Sequence, residues 1–250
     1  MNLTKAVKDR VLAQEMDLVG IASVDRFTEA PEGHRPTDIL PTAKSVIVAV
    51  IHVLDSVYDL PDTRYEYTNQ FFVLNGMLNS MGFKVSRFLQ SRGYRTIPVP
   101  AAYPRVNKIL KGILSHRHAA VLAGLGEFAL SNLFTTPQFG PRVRLVSVVT
   151  EAELEPDPPY TESLCIQMRT QCELACVKNC PVQAISEEGV INKHNCLHYQ
   201  EQIMPWSAVE LRCGVCVASC PIGKREWEIP AGTRSQKVKE MKALWTGAKW

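Results

Sequence analysis

The sequence predicts an α+β (α/β sandwich) fold followed by a small cysteine-rich domain. Predicted strands and helices alternate over residues 1–150, a pattern typical of layered α/β or α+β folds. An acidic, proline-rich stretch at 151–160 then indicates a linker. All eight cysteines follow it, between Cys165 and Cys220. We therefore expect three parts, which are a first domain over 1–155, a second over 156–228 and a basic C-terminal tail over 229–250.

The predicted strands of the first domain are rich in β-branched residues. The strongest, SVIVAVIHV at 45–53, is apolar at successive positions and so on both faces, which predicts a central strand of a sheet. The other predicted strands cover 18–24, 96–99 and 145–150.

Apolar residues at helical spacing predict three helices in the same domain. The first covers 2–16, the second is a long helix over 65–92, and the third covers 104–123. Glycines inside the two later helices are candidate breaks, namely Gly76, Gly82 and Gly112.

Charge and hydropathy argue against several classes of protein, namely nucleic-acid-binding, membrane-spanning and secreted proteins. The net charge is +3 and the pI is about 8.4, an excess too small to indicate a nucleic-acid-binding face. No run of the sequence approaches the roughly 18 apolar residues that a membrane helix needs. The N-terminal stretch MNLTKAVKDRVLAQEM is charged and lacks the apolar core of a signal peptide. These features predict a cytoplasmic protein with no membrane partner.

The cysteines form two segments that each end in Cys-Pro. A reducing compartment disfavours disulfides, and a cubic iron–sulfur cluster needs four converging thiolates. In two-cluster ferredoxins the cysteine before proline serves the other cluster. This rule predicts two 4Fe–4S clusters and leaves no thiol unused. The first cluster would take Cys165, Cys172, Cys176 and Cys220, and the second Cys196, Cys213, Cys216 and Cys180.

Two alternatives exist for these cysteines. A disulfide framework would spread cysteines through the fold, whereas here they occupy its last third. Zinc also accepts four thiolates, but zinc sites usually pair two C-x2-C knuckles, and only Cys213 and Cys216 have that spacing. The first segment is more widely spaced than the ferredoxin motif, so Cys165 matches that motif least well.

The first domain carries a family resemblance as well. Residues 116–150 read HRHAAVLAGLGEFALSNLFTTPQFGPRVRLVSVVT, and AGLG at 123–126 and GPRVRL at 140–145 stand out. This stretch resembles the segment before the cluster domain in epoxyqueuosine reductases and corrinoid reductive dehalogenases. The earlier pieces DLVGIASVDRF, LPTAKSVIVAVIHV and SRGYRTIPVP are similar too. The resemblance covers residues 5–225.

The resemblance implies a nitroreductase-like cobalamin-binding domain followed by a bacterial-ferredoxin-like domain with two clusters. The clusters would pass single electrons to a base-off cobalamin, taking Co(II) to Co(I). By match to the family's motifs, the cofactor face would comprise Ser115, His116, Arg117, Asn132, Phe134, Leu145, Leu197, His198, Gly214 and Val215.

Several of these residues have simpler interpretations. His116 and His118 flank Arg117 and could bind a phosphate or a corrin propionamide, or they could lie on the surface at a helix C-terminus. For His198, a hydrogen bond or packing is the alternative to binding cobalt. Glycines at 124 and 126 do not complete G-x-G-x-x-G, so a dinucleotide site is not indicated.

The proton donor of the reaction is not identified by the motifs. Epoxyqueuosine reductases carry an aspartate donor where this sequence has Leu110, which cannot donate a proton. The candidate donors are Tyr65, Tyr67 and Tyr103, for which packing in a helix is the alternative.

The function predicted is a cobalamin-dependent iron–sulfur reductase acting on a small organic substrate. The first alternative is an electron donor, reductive activator or cobalamin carrier for a separate corrinoid protein. The second is a plain two-cluster electron carrier without cobalamin. A low-potential donor such as ferredoxin or flavodoxin is the expected partner. No tRNA partner is expected, because the sequence shows no helical-repeat domain like that of epoxyqueuosine reductases.

Overall fold

A computed structural model of the chain describes residues 2–60, 64–102, 112–202 and 212–224. The predictions for Tyr103, Leu110 and the basic tail lie outside the described residues. The strands are β1 (Leu18–Ser23), β2 (Ser45–His52), β3 (Thr96–Val99), β4 (Glu127–Phe128), β5 (Phe134–Thr135) and β6 (Val143–Thr150). The helices are α1 (Leu3–Leu12), α2 (Pro36–Ile39), α3 (Arg64–Gln90), α4 (His116–Leu122), α5 (Leu164–Gln167), α6 (Arg169–Cys172), α7 (Ala175–Lys178), α8 (Lys193–Gln202) and α9 (Val215–Ala218).

The main sheet has four antiparallel strands in the order β1-β2-β6-β3. Strand β2 lies between β1 and β6, and Val48 is opposite Gly20 on one side and Ser147 on the other. The prediction of a central strand at 45–53 is therefore confirmed. A second, short hairpin joins β4 to β5.

Both faces of β2 are buried, which explains the layered fold. Val46, Val48 and Val50 pack with α4 on one face of the sheet. The alternate residues Ile47 and Ala49, together with Ile51, pack with α1 and α3 on the other. Because successive side chains of a strand point to opposite faces, a strand that is apolar throughout needs a layer on each side. The mixed helix-and-sheet sandwich predicted from the sequence is thus observed.

Helix α3 runs unbroken through Gly76 and Gly82, so the predicted breaks are wrong. Gly82 is buried, and a Cβ placed there would lie 3.5 Å from the Pro98 side chain and 3.7 Å from Val148. Packing against the sheet therefore compensates the low helix propensity of glycine.

Helix α4 begins at His116, so residues 112–115 are not helical as predicted, and 104–111 lie outside the described part. Ser115 ends the loop, and its hydroxyl accepts a hydrogen bond from the His118 N–H, as an N-cap does. His116 and His118 accordingly lie at the N-terminal end of a helix. The alternative that placed them at a C-terminus is wrong.

The acidic stretch at 151–160 has neither helix nor strand, yet it packs along the sheet. Ala152 and Leu154 are buried in the core. The Asp157 carboxylate accepts a hydrogen bond from the Ile21 N–H at 2.8 Å and pairs with Lys8 at 2.5 Å. This segment is fixed to the first domain before the cysteines begin.

Candidate functional site

The cysteines lie on short helical turns joined by tight bends. Five of them belong to helices, and the remaining three directly follow or precede such turns. Glu173 and Leu174 both have left-handed backbone, with φ of 47° and 59°, and they reverse the chain between Cys172 and Cys176. Such conformations cost of order 1–3 kcal/mol per non-glycine residue and cluster at functional sites. The bend brings successive thiols to one side of the segment.

One set of thiols combines the first three cysteines with the last. The pKa of the Cys176 thiol is raised by burial and by the neighbouring Cys165 and Cys172 sulfurs. Burial raises the pKa of Cys220 to about 11, and the Cys165 and Cys176 sulfurs add to the rise. Cys220, from the second segment, therefore lies close to the thiols of the first.

The other set has the reciprocal composition. Burial raises the pKa of Cys216 to about 12, and the sulfurs that add to it include those of Cys213, Cys196 and Cys180. The pKa of Cys213 is likewise raised by burial and then by Cys196 and Cys180. Cys176 also acts on Cys216, so the two sets are adjacent. Buried thiols that repel one another as thiolates suit a bound metal, whose positive charge compensates them.

Hydrogen bonds to sulfur are present in both sets. The Leu130 N–H donates to Cys165 Sγ at 3.2 Å, and the Ala184 N–H donates to Cys180 Sγ at 3.2 Å. The side-chain amide of Gln200 donates to Cys196 Sγ at 3.5 Å. Such donors stabilise negative charge on cluster ligands and thereby tune the reduction potential.

The disulfide and zinc alternatives gain no support from the geometry. All eight cysteines are free thiols, each partly buried. Within the described ranges, no group of three or more His, Cys, Asp or Glu side chains is placed to hold a single metal ion. A zinc site needs its ligands around one ion, whereas a cubic cluster separates its four thiolates by the width of the cube.

The GPRVRL motif joins the cysteine region to the sheet domain. Arg142 is buried and donates to the carbonyl oxygens of Cys220 at 2.9 Å and Ile222 at 2.5 Å. Its guanidinium also pairs with Asp55 at 3.0 Å. At Gly140, where φ is 56°, a Cβ would lie 1.9 Å from the Ile222 oxygen. Glycine is therefore required for the Cys220 loop to approach this closely.

A partly buried tyrosine–arginine pair lies beside the second set of thiols. Tyr67 is hydrogen-bonded to Arg144, and burial raises the pKa of the phenol while Arg144 opposes the rise. Arg144 Nε donates to Asn75 Oδ1 at 2.9 Å. A Cβ on Gly214 would lie 2.9 Å from the Tyr67 ring, so Gly214 allows the Cys213–Cys216 turn to pack on this ring.

The three candidate proton donors have different positions. Tyr67 is partly buried in this pair, Tyr65 is 49% exposed, and Tyr103 lies outside the described residues. Tyr58, which no sequence pattern marks, is also partly buried, with its ring centroid 5.7 Å from that of Tyr67.

A cavity of about 620 Å³ opens beside the N-terminal end of α4. Its volume lies within the range of pockets that hold small organic ligands. The sequence-predicted residues Ser115, His116 and Arg117 line it. Sequence reasoning missed the other polar lining residues, since no motif marks them; they are Arg26, Glu29, His34 and Lys193.

The side chain of His116 is engaged within the protein. Its Nδ1 lies 2.9 Å from Ser147 Oγ and its Nε2 lies 2.9 Å from the Pro100 carbonyl oxygen. Burial holds the pKa of His116 below its usual value, which favours a neutral ring whose Nε2–H donates to Pro100. This histidine fixes the start of α4 to β6 and to the end of β3.

Arg117 and Asn132, both predicted cofactor residues, contact each other. The Arg117 guanidinium donates to the Asn132 carbonyl oxygen and to Asn132 Oδ1. It also lies over the Phe128 ring, 5.6 Å from the centroid. The ring of its neighbour His118 lies tilted at 57° to the same ring, with 4.7 Å between centroids. Arg117, His118 and Phe128 form one wall of the cavity, and Asn132 contacts that wall through Arg117.

The remaining predicted cofactor residues lie elsewhere. Phe134 and Leu145 are buried in the core on the α4 side of the sheet. His198 is exposed on α8 and lies 2.9 Å from Gln202 Nε2, and Leu197 precedes it. Gly214 and Val215 lie at the start of α9. The predicted cofactor residues are therefore found in three places: the cavity wall, the core, and the turns beside the second set of thiols.

No helix within the described ranges is long and apolar enough to cross a membrane.

Curated proteins similar to this chain are reductases. Epoxyqueuosine reductase from Bacillus subtilis is 26% identical over 235 residues, which are 88% of this chain and 57% of that protein. Tetrachloroethene reductive dehalogenase from Sulfurospirillum multivorans is 30% identical over 151 residues, which are 55% of this chain and 27% of that protein. The chain therefore spans a little over half, or about a quarter, of the length of these relatives. No family profile matches it.

Solved structures share the fold. A reductive dehalogenase studied for B12-dependent dehalogenation has a TM-score of 0.68 at 20% identity, covering 96% of this chain and 33% of that one. An epoxyqueuosine reductase with an epoxyqueuosine-modified tRNA stem loop has a TM-score of 0.60 at 21% identity, covering 91% and 68%. The resemblance to this superfamily is thus confirmed. The expectation that tRNA is not a partner gains no support from these comparisons.

Proposed function

We propose that this chain, similar to epoxyqueuosine reductases and reductive dehalogenases, is an iron–sulfur reductase that binds two 4Fe–4S clusters and a base-off cobalamin. It reduces a small organic substrate with electrons from a low-potential donor such as ferredoxin or flavodoxin. The observation that carries the proposal is the exchange of Cys180 and Cys220 between two sets of four thiols.

We assign one cluster to each set. Cluster one would be held by Cys165, Cys172, Cys176 and Cys220, and cluster two by Cys196, Cys213, Cys216 and Cys180. Arg142 supports the assignment, because it fixes the Cys220 loop against the sheet domain and so presents that thiol to the first segment. In this arrangement the chain's own contribution is to hold the clusters adjacent and partly shielded from water.

A cobalamin, when bound, would supply a strongly reducing cobalt centre. The cavity at α4 offers it Ser115 and Arg117, which Asn132 orients, and these polar groups suit amide and phosphate substituents. By match to the family's motifs, Leu197, His198, Gly214 and Val215 would also contact the corrinoid. His116 positions α4 and does not offer a free ring nitrogen.

Tyr67 is the candidate proton donor. It is partly buried beside the cysteines assigned to cluster two, and Arg144 hydrogen-bonds to it, so the tyrosinate left after proton transfer would be stabilised by an adjacent cation. Tyr67→Phe should lower turnover by about 10²-fold or more, in the range of a lost general acid, and leave iron content unchanged. Tyr65→Phe is the matched control, since Tyr65 is half-exposed on the same helix. Equal turnover in Tyr67→Phe and the unaltered protein would remove Tyr67 from the mechanism.

The test of the proposal is anaerobic purification with added hydroxocobalamin, then gel filtration and iron and cobalt analysis. About eight irons and one cobalt per chain are expected. Eight irons without cobalt would leave a two-cluster electron carrier. Cobalamin binding without turnover of small substrates would favour the alternative function, in which the protein donates electrons or delivers cobalamin to a separate corrinoid protein. An epoxyqueuosine-containing tRNA stem loop belongs among the substrates tried, because a solved relative holds one.

A further inference from the structure

The hairpin formed by β4 and β5 holds Cys165 from outside the cysteine segment. The Cys165 N–H donates to Glu127 Oε1 on β4 at 2.7 Å, and Cys165 Sγ accepts from the Leu130 N–H at 3.2 Å. Cys165 is also the cysteine that matches the ferredoxin motif least well, because six residues separate it from Cys172. The first domain therefore supplies, at both the backbone and the sulfur, a support that the widely spaced segment does not supply itself.

The hydrogen bond to the Cys165 sulfur comes from a tight turn. Leu130 is the second residue of this turn, which the Asn132 N–H closes on the Ala129 carbonyl oxygen at 2.8 Å. The Ala129 N–H donates to the Leu133 carbonyl oxygen at 3.0 Å, so the turn is also tied to the following strand. Asn132 has a left-handed backbone with φ of 56°. The direction of the Leu130 N–H therefore depends on a conformation that most residues adopt only at a cost.

Arg117 supports the same turn from the side of the cavity. One nitrogen of its guanidinium, Nη1, donates to the Asn132 carbonyl oxygen and, at 3.2 Å, to Asn132 Oδ1. Two acceptors on one residue fix Asn132 relative to α4. Arg117 lines the cavity, and the Leu130 N–H at the other side of the turn donates to a cluster-one cysteine. The turn thus joins the cavity wall to the first set of thiols.

We propose that Arg117 and Asn132 are positioning residues that set the hydrogen bond from the Leu130 N–H to Cys165 Sγ and thereby raise the reduction potential of cluster one. The inference rests on the proposed function, because it takes the cluster assignment from it. Reduction adds one electron, and hence one negative charge, to a cluster. An N–H donor to sulfur stabilises that charge, so misdirecting the donor lowers the potential.

The Leu130 donor is one of several at the first set of thiols. The Cys176 thiol accepts from the N–H groups of Cys176 and Val177, and the Cys220 thiol accepts from the Ile222 N–H. Of these donors, only that of Leu130 comes from outside the cysteine region. A change in the turn should therefore alter one contribution among several and leave the cluster in place.

The experiment is an anaerobic redox titration of the purified full-length protein, followed by electron paramagnetic resonance. Cluster one is identified as the signal that Cys220→Ser removes. Asn132→Ala disfavours the left-handed backbone, whereas Asn132→Gly permits it, and both variants lack the same side-chain oxygen. Because neither substitution changes the charge, a difference between the two variants reports the conformation of the turn.

The matched control is Glu15→Ala in the first domain. Glu15 is exposed after the end of α1 and has a left-handed backbone with φ of 61°. Alanine at this position meets the same backbone strain as in Asn132→Ala, although Glu15 is not part of the β4–β5 turn. The control therefore separates an effect of strain in general from an effect of this turn on the cluster.

Asn132→Ala should lower the reduced-to-oxidised ratio of cluster one about threefold at a fixed potential, which is about 28 mV for a one-electron couple. Arg117→Met should lower that ratio at least as far, because it also removes a positive charge. Asn132→Gly and Glu15→Ala should each change it much less. In Asn132→Ala, the potential of cluster two should shift less than that of cluster one.

Unchanged potentials of cluster one in Asn132→Ala and Arg117→Met, with all irons retained, would overturn the inference. Equal shifts, or equal losses of iron, in Asn132→Ala and Asn132→Gly would also overturn it, since the conformation of the turn would then not matter. Loss of half the iron from Asn132→Ala alone would support it, because Cys165 would then be out of place. Absence of two clusters from the unaltered protein is a separate result, which would refute the proposed function before any potential is compared.

Discussion

Replacing Cys220 with serine tests how the eight thiols are shared. Cys220 lies in the second segment of the sequence but near Cys165 and Cys176 of the first. Cys220→Ser should therefore remove cluster one, reduce the iron content from about eight to about four per chain, and free three thiols in the other segment. The freed thiols would be Cys165, Cys172 and Cys176.

The assay is alkylation under anaerobic, non-denaturing conditions, followed by peptide mass spectrometry. Thiols bound to iron are protected from alkylation, whereas free thiolates react. In Cys220→Ser, the three thiols of the first segment should be modified, and Cys180 should stay protected with the rest of cluster two. The reciprocal variant Cys180→Ser should expose Cys196, Cys213 and Cys216 instead.

The reasoning would be refuted if each substitution exposed the thiols of its own segment to alkylation. If Cys220→Ser exposed Cys196, Cys213 and Cys216, each segment would hold its own cluster, and the exchange would be wrong. Alkylation of all the remaining cysteines would show that the loss of one cluster causes the loss of the other. Ser163→Ala, next to the first cysteine-bearing helix, is the control that should alter neither iron content nor labelling.

Three further predictions concern stability. Arg142→Met should lower the free energy of unfolding by about 3–5 kcal/mol in urea titrations, because it takes the guanidinium from the largely buried Asp55 carboxylate and leaves it the contact with the His52 ring. Lys5→Met, in an exposed pair, should cost less than about 1 kcal/mol. Gly140→Ala should lower the melting temperature and the iron content, since its Cβ would collide with the Cys220 loop. His116 has a lowered pKa in the folded protein. Its contribution to the free energy of unfolding is therefore complete above about pH 6.5 and is lost as pH falls below that value. His116→Gln should flatten the melting temperature between pH 5 and 7 relative to the unaltered protein, whereas the exposed His194→Gln should not.

Local patterns in the sequence predicted the sheet domain well where periodicity was strong. Residues 45–53 contain a continuous apolar run. A strand that is apolar on both faces has to be covered on both, and this favours a central position in the sheet. The strand at Thr96–Val99 was also predicted with the bounds observed. The glycines of α3 were misjudged, because propensity is local while the packing of Gly82 on the sheet is not.

The sequence likewise predicted some features of the candidate site and not others. The sequence by itself determined the eight thiols, their Cys-Pro endings and the expectation of exchange, since ligand type and spacing are local properties of the chain. It also marked GPRVRL without revealing why Gly140 and Arg142 matter. Only the tertiary structure showed that they seat the Cys220 loop on the sheet domain.

The tertiary structure alone decided which side chains surround the candidate ligands. It placed His116 between Ser147 and Pro100, and so turned a candidate ligand-binding residue into one that holds the fold. It also brought Phe71, Gln200 and Arg212 together beside the second set of thiols, although they are 129 and 12 residues apart along the chain. Charge acts through space, and no sequence pattern records which distant residues the packing of a helix against a loop will make neighbours.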